Sequence, residues 1–342
     1  MKHIVIIGGG IAGIETASLL TDAGHWVTVI EKGAKVGGKL NNWSYLFPDF
    51  SPAEKITESL LAKCREKDFS ILSDTEVKTI IRNQAKFYIR TSGNQDLEAD
   101  AIVLATGYEL FDARRKEEYG YKIYDQVITS ADLEQLLRPG ENLTVADGKH
   151  PKRIAFVHCV GSRDEKSGNH YCSKVCCITG VKQAIELKKR LPEAEIFCFY
   201  MDLRMYGKHF EELYREAQEK YDIQFIRGRL SEASEKIDKS LLIKAEDTLS
   251  GRPLKMNVDL LVLLVGMEAG KGTTSAASSC GVNCEESGFL KSMDSILNSN
   301  ISQQAGIFLA GSCTAPMSVN DTILHARSAA IEVNNYLKKS IK

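Results

Sequence analysis

With 342 residues, 43% hydrophobic and 26% charged, the chain has ordinary globular composition and material for two cores of usual domain size. Its 44 basic and 45 acidic residues leave a net charge of −1, which gives no electrostatic reason to expect nucleic acid or an anionic membrane as partner. No apolar run approaches the roughly 18 to 20 residues that cross a bilayer, and nine cysteines, an odd number, do not make a secreted disulfide scaffold in a chain this long. A reducing cytoplasm fits the cysteines better. The glycines that follow Met1-Lys2 sit inside what would be the apolar core of a signal peptide, so the N-terminus is expected to be retained.

In chain order, HIVIIGGG reads as a β-branched strand, IAGIETASLLTDAG as a helix and WVTVIEK as a second strand, a βαβ unit with parallel strands implied. DAIVLATGYE (Asp100–Glu109) is an acid-led apolar strand ending in a glycine turn. A second unit follows in RIAFVHCVGS, ITGVKQAIELKKRL and AEIFCFYMDLR, and DLLVLLVGMEA (Asp259–Ala269) closes it as Asp100–Glu109 closes the first. The expected fold class is therefore α/β, with two related Rossmann-like domains. GIFLAGS (Gly306–Ser312) is a further strand and turn, DTILHARSAAIEVNNYL an N-capped helix, and both are expected to return to the first domain. The reading assigns residues 1–120 and 255–342 to the first domain and 121–254 to the second. No long polar linker intervenes, so the halves are expected to pack closely.

Gly8-Gly9-Gly10-Ile11-Ala12-Gly13 lies between the first strand and the first helix. Gly8 can make the tight turn, Gly10 admits a pyrophosphate, Gly13 lets helix and strand approach, and the helix start at Ile11 and Ala12 faces the phosphates. A lone G-x-G-x-x-G is weak evidence. Glu31, however, ends the second strand 18 residues after Gly13, where a carboxylate binds ribose hydroxyls, and an ordinary glycine-rich turn leaves that acid unexplained.

The second half should repeat this fingerprint if it bound a nucleotide, yet RIAFVH runs into CVGSRDEKSGNHYCSKVCC. Cys159, Cys172, Cys176 and Cys177, spaced C-x12-C-x3-C-C, fall across a strand end, a loop and a helix start. Zinc in structural sites usually takes paired C-x2-4-C knuckles, whereas irregular spacing suits a [4Fe–4S] cluster. Disulfides would need an oxidising compartment, and the adjacent pair would be strained if joined. The cluster is the expected occupant, with zinc and disulfides as the alternatives.

VGGKL (Val36–Leu40), ATG (Ala105–Gly107) and GIFLAGS resemble the pattern of the two-domain FAD-dependent disulfide reductases, such as the thioredoxin reductases. The resemblance favours FAD over NAD and implies a set of cofactor contacts. Gly37 and Gly38, with Lys39, would lie against the flavin side, Lys32 beside the ribose acid, and the backbone of Val77 at adenine. Ala105, Thr106 and Gly107 would pass the pyrophosphate, and Gly311 and Ser312 would approach the cofactor, although the family has an acid where Ser312 stands.

HCVGSRDEKSGNHYCSKVCC, KQAIELKKR and FYMDLRMYGKHFEELYREAQEKYDIQFIRGR are similar to the A subunit of the heterodisulfide reductases, and the likeness spans most of the chain. It implies that the four cysteines hold a cluster close to the FAD isoalloxazine, so that the second domain is an electron conduit. It also implies that YDQVITSADLEQLL and PMSVNDTILHA turn near the flavin, and that Lys182 sits by flavin N5, where a cation favours the anionic reduced flavin. By spacing alone, Lys182 reads equally as a solvated residue of the basic stretch Lys182–Arg190. Long methanogen subunits add ferredoxin modules, and they carry cysteines after VGGKL where this chain has NNWSYLFPDF. The chain resembles the short form of sulfur-oxidising heterodisulfide-reductase-like systems.

A helix opening at Asn320-Asp321-Thr322 would aim the amides of Thr322 and Ile323 at charge on flavin N1–O2, with Asp321 alternatively a plain N-cap. Cys313 reads as a small buried residue, Cys64 and Cys198 as core, and the Cys280–Cys284 pair lacks the C-x2-C spacing of thioredoxin-like chemistry; none is assigned catalysis. His158 and His170 flank the cysteines, either bonding sulfur or lying at caps or surface. The sequence thus points to an electron-transfer subunit carrying FAD and one [4Fe–4S] cluster. It would work as a homodimer in a cytoplasmic complex with B- and C-type heterodisulfide-reductase-like subunits, in sulfur or thiol–disulfide metabolism. The alternatives are the flavoprotein subunit of a quinone-interacting oxidoreductase, a self-contained NAD(P)H-dependent disulfide reductase, and an FAD-binding scaffold with structural zinc.

Overall fold

A computed structural model describes residues 1–339 apart from Asn94, Asn142, Ala146 and Asp147. The chain divides into two compact units. Unit 1 comprises Met1–Asn41, Glu54–Glu109 and the chain from Glu268 onward; unit 2 comprises Asn42–Ala53 and Leu110–Met267.

Unit 1 opens with β1 (His3–Ile7), α1 (Ile11–Asp22) and β2 (Trp26–Ile30). The short excursion into unit 2 pairs β3 (Tyr45–Leu46) with β4 (Ser51–Pro52). Then come α2 (Ala53–Glu66), β5 (Ser70–Leu72), an antiparallel meander of β6 (Val77–Asn83), β7 (Lys86–Thr91) and β8 (Asp96–Ala99), and β9 (Ala101–Leu104). The chain leaves unit 1 within β10 (Tyr108–Leu110). Unit 2 continues through β11 (Val127–Thr129), α3 (Ser130–Leu136), β12 (Arg153–Val160), α4 (Cys176–Arg190), β13 (Glu195–Tyr200), α5 (Phe210–Glu219) and β14 (Gln224–Arg227). A second meander, β15 (Leu230–Glu235), β16 (Leu241–Asp247) and β17 (Arg252–Val258), precedes β18 (Leu260–Val265). The chain returns within β19 (Met267–Ala269) to α6 (Lys271–Cys280), β20 (Ile307–Leu309) and α7 (Val319–Lys339).

Each unit is built on a five-stranded parallel sheet, ordered β20-β9-β1-β2-β5 in unit 1 and β11-β18-β12-β13-β14 in unit 2. The central strands read as unbroken apolar runs, AIVL in β9 and LLVLLV in β18, because helices and meanders cover both faces; every residue of both runs is buried. The two Rossmann-like domains of the sequence reading are present, and the GIFLAGS strand, β20, lies beside β9 in unit 1. Neither meander was read from the sequence. The exchange points fall before residue 120 and after residue 255, and the excursion at 42–53 was not foreseen. Among the described residues, no helix is long and apolar enough to cross a membrane.

Candidate functional site

The turn from β1 to α1 is made without side chains because there is no room for them. Gly8 has φ +114°, and a Cβ there would lie 2.3 Å from the Ala105 carbonyl oxygen; a Cβ on Gly13 would lie 1.9 Å from the carbonyl oxygen of Gly8. Gly10 is different, with nothing nearer to its Cβ position than the Gly38 Cα at 4.0 Å. It caps α1 without a side-chain bond, and the first turn holds no acid. The opening amides of α1 at Ile11 and Ala12 are therefore free to meet an anion in that space.

Glu31 is held at the end of β2 by two amides, Gly9 N on one carboxylate oxygen and Gly33 N on the other, each at 2.7 Å. A cavity of about 280 Å³ opens here, lined by Gly8, Glu31, Lys32, Val77 and Thr106 of the expected set. Its size approaches that of small-molecule sites. Lys271 and Ser275 of α6 line it too; sequence reasoning missed them because nothing local marks a helix that returns from far along the chain. Thr106 is braced by a 2.8 Å bond between its hydroxyl and that of Thr273, which also donates to the Gly107 carbonyl at 3.3 Å, and Ala105 N donates to Ile7 O. The Gly37-Gly38 turn sits against the glycine loop: Gly37 N donates to Gly9 O at 2.8 Å. Burial lowers the Lys39 amine, which lies 5.6 Å from the centre of the Tyr108 ring.

Two expected contacts are corrected. α7 opens one residue earlier than read, at Val319, with Ser318 as its cap: Asp321 N donates to Ser318 Oγ at 3.1 Å and Ser318 N to the Asp321 carboxylate at 3.3 Å. The Thr322 amide already donates to Ser318 O at 2.9 Å, and Ile323 lies one step deeper in the helix ladder. The amides that helix geometry leaves over belong to Val319 and Asn320. Gly311, at φ +75°, gives its amide to His325 Nδ1 at 2.9 Å and packs on Ala12, and Ser312 beside it is buried. His325, whose imidazole burial lowers below its usual range, is a residue that the sequence did not single out.

In unit 2 the same strand-to-helix position is occupied by sulfur. Cys159, near the end of β12, has a left-handed backbone at φ +60°, and α4 begins at Cys176. Cys159, Cys176 and Cys177 are buried, and their thiols hydrogen-bond in a row. The shared protons divide unevenly: the bond from Cys176 holds Cys159 and Cys177 below the usual thiol range, while those bonds and burial push Cys176 well above it. Cys172 is half-buried, accepts the Lys174 amide on its sulfur at 3.3 Å, and shares the neighbourhood of Tyr206 with Cys176 and Cys177.

Around these sulfurs, the Arg163 guanidinium reaches both Cys159 and, at 2.6 Å, Asp202. His158 is buried beside Cys177, with neither ring nitrogen bonded to nitrogen or oxygen. All nine cysteines are free thiols. Among the described residues, no three His, Cys, Asp or Glu side chains gather as one metal ion requires. The donor set is thiol, amide and cation at a helix start, chemistry that suits a larger, anionic, sulfur-ligated group.

The connection that carries Cys172 is anchored by Asp164, which is buried and accepts from Lys116 Nζ at 2.7 Å and Ser167 Oγ at 2.9 Å. Burial alone would raise this carboxyl, but the Lys116 and Ser167 bonds bring it down to about 2.

Lys182 is not solvated. It is 0% exposed, and its ammonium donates to Glu134 Oε1 at 2.5 Å and Tyr45 O at 2.9 Å and lies 3.0 Å from Glu186 Oε2, all within unit 2. Burial, with Glu134 adding to it, raises Glu186 to about 6. Cys313 is fully buried against the Leu104 carbonyl, and burial pushes its thiol up to about 12, as it does that of Cys280. Cys198 is buried, Cys64 half-buried and Cys284 exposed.

Residues 2–157 match the pyridine nucleotide-disulphide oxidoreductase family. The chain is 30% identical, over 97% of its length and 64% of the relative's, to the A subunit of the H(2)/formate:CoB-CoM heterodisulfide,ferredoxin reductase of Methanococcus maripaludis. It is 41% identical, over 70% of its length and 37% of the relative's, to the first of two iron-sulfur A subunits of the CoB–CoM heterodisulfide reductase of Methanopyrus kandleri. It therefore spans less than two thirds of the length of either. In fold it is similar to thioredoxin reductase from Lactococcus lactis, with a TM-score of 0.68 at 17% identity over 99% of this chain and 100% of the other.

Proposed function

The chain belongs to the heterodisulfide reductase A subunits, an oxidoreductase family, over the length it shares with them, and on that premise we propose that it is an electron-transfer subunit carrying FAD and one [4Fe–4S] cluster. In this reading unit 1 holds the dinucleotide. Gly8, Gly10 and the opening amides of α1 take the pyrophosphate, Glu31 and Lys32 the ribose, and Val77 the adenine end of the cavity. FAD, when bound, supplies a centre that exchanges electrons singly or in pairs. Cys159, Cys172, Cys176 and Cys177 ligate the cluster, while Arg163 and the start of α4 offset its negative charge.

The observation that carries the proposal is the row of three buried thiols at the strand–helix connection where a second glycine turn would stand. The short chain would act as a homodimer in a cytoplasmic complex, with B- and C-type subunits supplying the thiol or disulfide chemistry. Anaerobic purification followed by flavin, iron, acid-labile sulfide and zinc analysis, with EPR after dithionite reduction, tests it. One FAD and about four irons per chain with a reduced-cluster signal support the reading. Zinc or no metal in a flavin-loaded protein overturns the cluster, and a protein that retains no flavin overturns the dinucleotide site.

A further inference from the structure

His158 carries a polar ring into the interior of unit 2 without a matching polar neighbour. The residue is 6% exposed, and neither ring nitrogen has a nitrogen or oxygen partner. A buried unpaired donor is costly and native proteins leave few, so each calls for an explanation. The polar group that the ring does face is the Cys177 sulfur. His170, the other histidine of this stretch, is exposed to solvent.

Two departures from regular structure place the ring there. Along β12, Ile154 and Phe156 pack with the buried residues of α4, while Ala155 and Val157 pack with those of the second meander. The register against β18 then shifts between Val157 and Val160, with Cys159 left-handed, and Cys159 joins the α4 side that strict alternation would deny it. His158 and Cys159, adjacent in sequence, thereby both reach α4. On that helix a Cβ added to Gly180 would lie 3.0 Å from His158 Cε1 and 3.2 Å from Nε2. Glycine weakens a helix interior, and here it makes a notch for the imidazole, three residues after Cys177 and on the same face.

We infer that His158 donates a hydrogen bond to the Cys177 sulfur in the cluster-loaded protein and so raises the reduction potential of the cluster. The inference rests on the [4Fe–4S] reading above. An imidazole carries at least one N–H in either protonation state, so the donor is always present. A hydrogen bond to a ligating sulfur stabilises the more negative, reduced state over the oxidised one.

Redox titrations followed by EPR compare the wild-type protein with three variants. His158→Leu removes the donor at similar volume, His158→Gln returns an N–H, and Gly180→Ala fills the notch while leaving the histidine in place. His158→Leu is expected to make the cluster about tenfold harder to reduce at a fixed potential, a downward shift of about 59 mV for a one-electron couple. Gly180→Ala moves the midpoint in the same direction, and His158→Gln stays closer to wild type than His158→Leu; these two carry the test if the leucine variant assembles no cluster. A second readout needs no cluster. In metal-free protein the ring has no partner to lose, so His158→Leu is expected to raise the urea midpoint. A wild-type potential in His158→Leu or Gly180→Ala, equal shifts in the leucine and glutamine variants, or a lowered urea midpoint overturns the inference. Wild-type protein that binds no iron defeats the cluster reading itself and the inference with it, an outcome visible before any variant is made.

Discussion

The two units put one sheet order to two uses, and the difference lies in a single connection. In unit 1 the central strand β1 reaches α1 through residues 8–10; in unit 2 its counterpart β12 reaches α4 through residues 161–175. The first connection is stripped of side chains so that helix, strand and an anion can approach one another. The second is long and dense with side chains, and two of its non-glycine residues, Arg163 and Lys174, together with Cys159 in the strand before it, hold left-handed backbone at a cost of roughly 1 kcal/mol each. That cost is offset by local bonds such as those to Asp164 and by the packing of β12 under α4. The parallel sheet supplies a strand end facing a helix start, and in the proposed reading the connection decides whether phosphate or sulfur chemistry occupies it.

The sharpest way to break this comparison is to remove the chemistry from one connection at a time. The double variant Cys159→Ala with Cys176→Ala is expected to take iron and sulfide to background while flavin content stays at the wild-type level, measured on anaerobically purified protein. Gly13→Val is expected to do the reverse, because the new side chain meets the Gly8 carbonyl. Flavin retention should be lost and stability fall by about 3 kcal/mol or more in urea titrations, while unit 2 still assembles its metal. If both variants lost both groups together, the two connections would not be the independent sites proposed here.

Lys116→Met sharpens the same comparison at lower amplitude, since it removes the cation paired with the buried Asp164 that anchors the long connection. Arg229, 3.4 Å from Asp164 Oδ1, remains as a half-exposed partner, so the expected loss lies below the about 3 to 5 kcal/mol of a fully uncompensated buried carboxylate, to be read from chemical denaturation at neutral pH. The Asp164 carboxyl is depressed to about 2. The stabilisation it brings is therefore present above its ordinary range near 3.8 and is lost as pH falls toward 2.

Much of this was legible in local sequence. Strands such as HIVII and AIVL announce themselves as unbroken apolar runs, the glycine spacing places the turn, and the four cysteines mark the second connection by their irregular spacing. The start of α7 was also legible, since Ser318 and Asp321 have the spacing of a capping box, and reading it would have kept Thr322 and Ile323 out of the free-amide set. What stayed hidden depends on residues distant in sequence. Glu134 finds Lys182 across 48 positions, Gly311 N finds His325, and α6 returns to wall the cavity at Glu31. Lys182 shows the limit best: a basic stretch predicts solvent, but only folding reveals that one of its lysines faces α3 with two carboxylates waiting.

The helices after the two connections carry the comparison to its smallest effect. α1 buries Glu15 and α4 buries Glu186, and their surroundings shift them in opposite directions. Burial would raise Glu15, but hydrogen bonds from Lys63 and Arg327 outweigh it and lower the carboxyl. Burial raises Glu186 to about 6, because Lys182 is already shared with Glu134. The linkage signs follow. Glu15 contributes stability above pH 4.5 that is lost in acid, whereas the favourable contribution of Glu186 is full below pH 4.5 and lost as pH rises through about 6. Glu186→Gln keeps the shape of the protonated acid, so it should be more stable than wild type by about 2 kcal/mol above pH 7, converging with it near pH 4.5. Glu15→Gln should be less stable than wild type at neutral pH, the gap closing as pH falls below 4.5. Stability-against-pH curves of the two variants would converge on wild type in acid from opposite sides, and parallel curves would mean that the buried carboxylates of α1 and α4 do not differ as their partners require.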